Sequence, residues 1–459
     1  MHRSLWLLEV PLVPDVQPAL EGEARADVAI AGGGYVGLWT ALLLKERDPA
    51  CEVAIVEQEF CGSGASGRNG GFALSWWAKL KTLTRLCGEQ DAVRLAKASE
   101  AALTEIDSFC RSHGIDAHFT RGGWLWTATT ESQMGSWEAC VALAEKLGVG
   151  PWVRLGADEV AARAGSRAHL GGVLDTSAAT VQPGALVLGL RRAAIEAGVR
   201  IYERSPIVGV DRGSSPALVT ARGKLRAEKV VIAMNAWAAR FRELRRALVV
   251  LSSDIVATNP IPHALEKVGW TGGEAITDSQ LRVDYYRTTR DGRIAFGKGA
   301  GAIALAGRMG PEFERNPRAG RDAEADLRAY YPSLEDASVT HQWSGPIDKT
   351  MSGIPLFGRL GGSEQILYGV GFSGNGVGPS LLGGKILRSL ALGLRDEWSE
   401  SPLVEQRFER FPREPFCYLA ASLVRGAVVR KETAEIQGRR ARSIDVRLAG
   451  LAPAGLEDK

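Results

Sequence analysis

The sequence predicts a mixed α/β protein in which a parallel-sheet domain is interleaved with an α+β domain built on an antiparallel sheet. Three observations predict it. Residues 26–57 read as a complete strand–turn–helix–strand unit, the repeating block of a parallel sheet. Apolar strand-and-turn segments recur at 199–210, 230–237 and 368–377, further strand candidates separated by long stretches of chain. Between them, residues 281–297 read as a hairpin turning at Asp291-Gly292, which is an antiparallel signature.

The first unit carries the clearest chemistry. Ala26-Asp27-Val28-Ala29-Ile30-Ala31 is an apolar run of buried-strand type, followed at once by Gly32-Gly33-Gly34-Tyr35-Val36-Gly37 and a helix from Leu38. A second strand, Glu52-Val53-Ala54-Ile55-Val56, ends at Glu57. Gly32 permits a tight turn, Gly34 lets backbone approach a pyrophosphate, and Gly37 lets the helix pack on the strand. The helix N-terminus offers free N–H groups and partial positive charge to phosphates. Glu57 can accept both ribose hydroxyls of an adenosine and repels a 2′-phosphate. A glycine-rich turn alone is a weak signal; the strand before it and the acid after it make this a dinucleotide site.

A second glycine-rich loop, Gly62 to Gly71, follows Glu57 directly. NAD has no need of it, whereas the ribityl chain and ring of FAD need backbone clearance beyond the pyrophosphate. Gly64-Ala65-Ser66-Gly67-Arg68-Asn69-Gly70-Gly71 resembles the second flavin loop of the D-amino-acid oxidase superfamily, which includes glycine, sarcosine and γ-glutamylputrescine oxidase-like enzymes, the last nearest in appearance. The resemblance continues at Ala178–Pro183, at Ser205–Val210, at Val230–Trp237 and at Tyr368–Val377. It implies a Rossmann-type FAD-binding domain in three pieces (25–114, 171–244 and 346–412) and a substrate domain in two (115–170 and 245–345). Residues 1–24 and 413–459 are left as an N-terminal extension and a helical C-terminal extension. Non-covalent FAD is expected at Gly32, Gly33, Gly34, Tyr35, Val36 and Gly37, at Glu57 and Gln58, and at Gly64, Ala65, Ser66, Arg68, Asn69, Gly70 and Gly71. Further contacts are expected at Ile207, Asn235, Phe372, Ser373, Gly374, Asn375, Gly376 and Val377. Pro379 opens an apolar helix just after that last loop, so residues 374–377 lie at a positive helix end, which would favour the negative charge of a reduced flavin.

Composition fits this picture and excludes others. Over 459 residues the chain carries 45% hydrophobic and 24% charged residues, and a net charge of +3 too small to argue for nucleic acid. Its 54 glycines are clustered rather than periodic, as expected where backbone approaches a ligand. No run reaches the roughly 20 apolar residues of a membrane span. The short stretch Trp6-Leu7-Leu8 lacks the basic face of a membrane anchor. Six cysteines without Cys-x-x-Cys pairing suit reduced thiols in a cytoplasm. No Gly-x-Ser-x-Gly elbow, His-Glu-x-x-His, Walker loop or clustered metal ligands occur.

The expected reaction is oxidation of the C–N bond of an amine or amino acid (an aminophosphonate or polyamine derivative included), by hydride transfer to the flavin. Oxygen or another acceptor then takes the electrons. Such a step needs an oriented C–H bond rather than a general base. The alternative is an FAD-dependent monooxygenase, although no second dinucleotide motif for a pyridine nucleotide is present. The substrate-pocket candidates are Trp76, Trp77, Tyr285, Tyr286, Trp343, Phe372 and Asn375, with Arg287 or Arg68 for a substrate anion. Asn375, Tyr286 and Trp343 are taken as the catalytic set; of the two tyrosines, strand alternation puts only one in the pocket, and Tyr286 is favoured. His113, His118 and His169 read as surface or core residues, and His341 as a weaker case of the same. Two departures from the family stand out. Residues 344–352 hold no cysteine and 58–75 no histidine for a covalent flavin link, and the strand position where related oxidases carry an oxygen-activating lysine is Ala295, with Lys298 facing away.

Overall fold

The computed structural model describes residues 3–10 and 16–455. Residues 1–2, 11–15 and 456–459, all within the two expected terminal extensions, lie outside them. The strand Gly22–Ala31 runs through the middle of an eight-stranded sheet. Its inner end, Val28 to Ala31, is buried, as a strand covered on both faces requires. Val53–Val56 and then Arg200–Tyr202 pair beside it in parallel on one side. On the other side lie Gly223–Ile232 and Ile366–Val370, also parallel, and then Leu356–Arg359, antiparallel. Helices Tyr35–Arg47, Pro183–Glu196 and Pro379–Ala391 pack together against this sheet through one apolar cluster that includes Leu38, Trp39, Val187 and Leu382.

The second sheet also has eight strands, in the spatial order Val339–Lys349, Val249–Thr258, Ile294–Lys298, Asp284–Thr288, Ala275–Thr277, Trp124–Ala128, Gly171–Asp175 and Trp152–Gly156. All its neighbours are antiparallel except Ala275–Thr277 with Trp124–Ala128. Two boundaries move relative to the sequence reading. Gly171–Asp175, assigned to the nucleotide domain, is the middle strand of three here, and Val339–Lys349 runs unbroken past residue 345. The hairpin turns at Asp291-Gly292, with Gly292 at φ 79°. Its register is regular: Tyr285 faces Gly297, Tyr286 faces Phe296, and Arg287 faces Ala295. Tyr285, Arg287, Ala295 and Gly297 therefore share one face, and Asp284, Tyr286, Phe296 and Lys298 the other.

The N-terminal stretch weighed as a membrane contact is inside the protein. Leu5, Trp6 and Leu7 are buried in the short helix Leu5–Glu9, and Trp6 Nε1 donates to the carbonyl of Asn69 at 2.8 Å. Ser4 Oγ donates to the carbonyl of Gly67. At the other end, helices Phe416–Ile436 and Ser443–Ala449 form the extension. No helix among the described residues is long and apolar enough to cross a membrane.

Candidate functional site

The two glycine-rich loops are built as one unit. A Cβ at Gly32 (φ 106°) would lie 2.4 Å from the Ala233 carbonyl oxygen, and one at Gly37 would lie 2.0 Å from that of Gly32. Only hydrogen fits at either place, so the helix Tyr35–Arg47 starts hard against the strand that feeds it. Its N-terminus has no side-chain cap. The second loop is laced to the first: Gly62 N–H donates to the Gly33 carbonyl at 3.0 Å, and Ser66 Oγ accepts from Tyr35 N–H at 2.9 Å. Asn69 spends its amide inside its own loop, donating to the Ala65 and Ser66 carbonyls and accepting from Gly71 N–H. Glu57 ends its strand with Oε2 accepting from Gly33 N–H at 2.8 Å and Oε1 from Glu59 N–H at 3.2 Å. Burial outweighs these bonds and pushes its carboxyl up to about 6.

One cavity connects this unit to the second sheet. It is lined by Gly32, Gly34, Tyr35, Val36, Glu57, Gln58, Gly64, Ala65, Ser66, Arg68, Asn69, Gly70, Ile207 and Asn235, and by Phe372 through Val377. Gly33, Gly37 and Gly71 stand behind it. Gly33 supplies the N–H held by Glu57, and a Cβ at Gly71 (φ 76°) would lie 2.2 Å from the Val181 carbonyl oxygen. The last loop is held from below by Asp348, a residue the sequence reading passed over. Its carboxylate accepts from Gly371 N–H at 2.5 Å and from Asn235 Nδ2 at 3.0 Å, and burial pushes it up to about 7.

The far half of the cavity is walled by Leu74, Leu251, Ser253, Gln280, Leu281, Val283, Tyr285, Ile347 and Lys349. Tyr285 and Ser253 share a 2.7 Å hydrogen bond between hydroxyls. Asn375 donates from Nδ2 to the Ser75 carbonyl at 3.2 Å, while its Oδ1 is buried with no partner. A buried acceptor without a partner is costly, so Asn375 stands out in this loop. With the glycine-rich turn and Glu57 at one end of a shared cavity and hydroxyls among apolar side chains at the other, these residues fit a dinucleotide at one end and a smaller molecule at the other.

Several expected pocket residues are elsewhere. Tyr286 is fully buried on the opposite sheet face, stacked on Phe296 with ring centres 4.8 Å apart and its hydroxyl 3.3 Å from His169 Nε2. Tyr285 is the tyrosine that lines the cavity. Trp343 shares the face of Gly345 and Ile347, but Trp6 covers it edge-on at 5.7 Å, and its Nε1 donates to the Arg68 carbonyl at 2.8 Å. Trp76 and Trp77 are core residues, Trp77 Nε1 donating to Glu100 at 2.6 Å. Arg287 is a clamp: Nη1 donates to the Val181 carbonyl at 2.7 Å, and the guanidinium sits 5.3 Å from the Trp6 ring centre. Arg68 does line the cavity, with Nε on the Ser63 carbonyl and Nη1 on that of Ser344. His169 is buried, which pushes it down to about 4. His341 is not among the cavity residues. Ala295 packs with Leu5, Trp6, Ile255 and Trp343, and Lys298 pairs with Asp284 (2.8 Å) and Asp326 (2.6 Å) on the far face. Lys349 and Ser253 were missed. The alternation Gly345–Ile347–Lys349 along one strand would have found the lysine; Ser253 faces the cavity only through pairing with distant chain.

Residues 27–390 match the family described as FAD dependent oxidoreductase. The probable oxidoreductase OrdL of Haemophilus influenzae is 28% identical over 388 residues, covering 82% of this chain and 85% of its own. The γ-glutamylputrescine oxidoreductase of Escherichia coli is 27% identical over 400 residues, covering 86% and 89%. The glycine oxidase of Geobacillus kaustophilus is 28% identical over 376 residues, covering 80% and 93%. A crystal structure of glycine oxidase from that organism superposes with a TM-score of 0.70 at 24% identity, covering 84% of this chain and all of the other. At that identity the superposition speaks for the fold.

Proposed function

Since the chain belongs to the FAD-dependent oxidoreductase family, we propose that it holds FAD non-covalently along the cavity and oxidises the C–N bond of an amine or amino acid to an imine, which water then hydrolyses. The observation that carries this reading is the single cavity joining Glu57 and the glycine loops to the Tyr285–Ser253 hydroxyl pair on the second sheet. The relatives named for glycine and γ-glutamylputrescine support the substrate class.

In this reading Gly32 to Val36 and the N-terminus of their helix hold the pyrophosphate, Glu57 with Gln58 the ribose, and Ile207 the adenine. Gly64 to Gly70, Asn235 and Phe372 to Val377 surround the rest. FAD, when bound, supplies the acceptor for the two electrons and the hydrogen leaving the substrate carbon. The chain's own work is binding, orientation and exclusion of water. Leu74, Leu251, Val283 and Ile347 make the substrate half apolar on several sides. The Tyr285–Ser253 pair offers hydroxyls that fix an amine by its N–H groups. Lys349 offers positive charge to an anionic substituent of the same molecule.

The test has two stages. Acid precipitation of purified protein should leave a colourless pellet and release all flavin as FAD, because no cysteine or histidine stands among the described residues that line the cavity. Anaerobic mixing with a panel of amines, amino acids, aminophosphonates and polyamine conjugates should then bleach the flavin with at least one member. A chain that no panel member reduces, but that consumes NADPH, would be a monooxygenase instead.

A further inference from the structure

The family match stops at residue 390, but the chain goes on and returns to the cavity. Three separate contacts show where it arrives. Gly455 itself lines the cavity, beside Ala454, which is buried and whose N–H donates to the Met351 carbonyl at 3.2 Å. On the helix Phe416–Ile436, Glu432 is buried, and its Oε1 accepts from Arg282 N–H at 3.1 Å. Arg282 stands between Leu281 and Val283, both of which line the cavity. On the same helix, Arg425 Nε donates at 2.9 Å to the carbonyl of Ala300, a cavity residue held at φ 53°. The helix Ser443–Ala449 is tied to this one through the Arg430–Asp445 pair at 2.7 Å, which fixes where the following segment can run.

We propose that the C-terminal extension is the specificity element of the substrate half: its tail forms one wall, and its long helix sets the position of two others. The proposal rests on the reading that this half of the cavity takes the substrate. The geometry gives each part a distinct job. Glu432 and Arg425 each grip main chain rather than side chain, so they fix the course of the Leu281–Val283 and Ala300 segments whatever side chains those segments carry. Among the described residues the tail meets the cavity at Gly455, which contributes main chain alone. A side chain at that position narrows the cavity; loss of the tail opens it. Substrate length is therefore set by a segment that the shared family fold does not include.

The experiment uses the full holoenzyme against three variants: a chain stopped after Leu451, Gly455→Trp, and Arg425→Met combined with Glu432→Gln. Three quantities are read: FAD stoichiometry, the KM and kcat of straight-chain amines and N-alkylglycines of increasing length, and iodide quenching of flavin fluorescence, which needs no substrate. FAD stoichiometry should stay at the wild-type value in all three. The shortened chain should be quenched severalfold more strongly and shift its KM preference towards longer members by about tenfold, the scale of one added methylene in a fitted pocket. Gly455→Trp should shift preference the opposite way with weaker quenching, and the double variant should broaden the preference without adding a clash. Unchanged length preference and unchanged quenching in both the shortened chain and Gly455→Trp overturn the proposal. Wild-type flavin that no amine reduces, together with altered quenching in the variants, overturns the amine reading and leaves the wall in place.

Discussion

Replacing Glu57 by glutamine tests the nucleotide end of the cavity with the least disturbance of shape. In the free protein the carboxylate accepts two main-chain N–H groups and lies open to the cavity. Glutamine keeps the volume but offers an NH2 where one acceptor stood, and it removes the charge from every bond at the site. Bonds to a charged acceptor contribute about 1.5–3 kcal/mol each, so losing the charge from the ribose pair should weaken FAD by about 2–4 kcal/mol. At 1.4 kcal/mol per decade, that is roughly a 30- to 1,000-fold rise in Kd. The same residue predicts a pH dependence. Burial raises its carboxyl from 4.5 to about 6, so the folded, FAD-free chain holds the proton more tightly than the unfolded chain. Its contribution to FAD-free stability is therefore fullest below about pH 4.5 and is lost as pH rises through about 6. FAD binding has the opposite sign, because ribose hydroxyls donate to the ionised form. One unit below that value only about a tenth of the carboxyl is ionised, and wild-type affinity should fall about tenfold between pH 7 and pH 5. Titration of the FAD-free protein, followed by quenching of flavin emission, gives both numbers. If Glu57→Gln binds within threefold of wild type, or keeps the same acid-side loss of affinity, the carboxylate does not hold the ribose.

Two further outcomes follow from the face assignments. Tyr285→Phe should leave thermal stability nearly unchanged while raising substrate KM, because it removes one cavity hydroxyl; Tyr286→Ala should lower stability by about 3–5 kcal/mol, read by urea unfolding, because it empties an aromatic core. The reverse pattern would exchange the two residues. Ala295→Lys should destabilise the fold by more than about 1–3 kcal/mol, since it adds length and charge among Leu5, Trp6 and Trp343, and it should not accelerate reoxidation of reduced enzyme. Adding Trp6→Ala to the same chain should recover part of the stability. Stopped-flow reoxidation that speeds up in the single variant would mean that Ala295 faces the flavin after all.

The nucleotide end was legible because its demands are in part local. Gly37 is required by the Gly32 carbonyl a few positions earlier, so the spacing carries that geometry directly; the Ala233 carbonyl that requires Gly32 comes from distant chain, and only the glycine motif itself pointed to it. The substrate end was legible only as far as strand alternation goes. Alternation separates Tyr285 from Tyr286, but Trp270 and Tyr331, which with the hairpin's own Phe296 turn the second face into core, come from two other segments. Alternation likewise puts Trp343 on the cavity side; what removes it is Trp6, from the opposite end of the chain. The boundary at residue 171 failed for a related reason. Gly171-Gly172-Val173-Leu174-Asp175 carries no mark of which sheet it joins, and its neighbours Trp124–Ala128 and Trp152–Gly156 settle that only in the fold. The hairpin was readable in full, since Asp291-Gly292 fixes both its turn and its register.

The walls of the cavity are scattered in time as well as in space. A ribosome adds about 5–20 residues per second, so the interval between making Gly32 and making Val377 is on the order of tens of seconds. Throughout that wait the glycine motif exists without the loop that closes over its ligand. The strand Gly22–Ala31 also lacks its full-length neighbour Gly223–Ile232 for much of it, leaving one side open to any strand that arrives first. Closure of the site over its cofactor thus waits until Val377 has been made, and the hazard of synthesis lies in the unpaired side of the first strand.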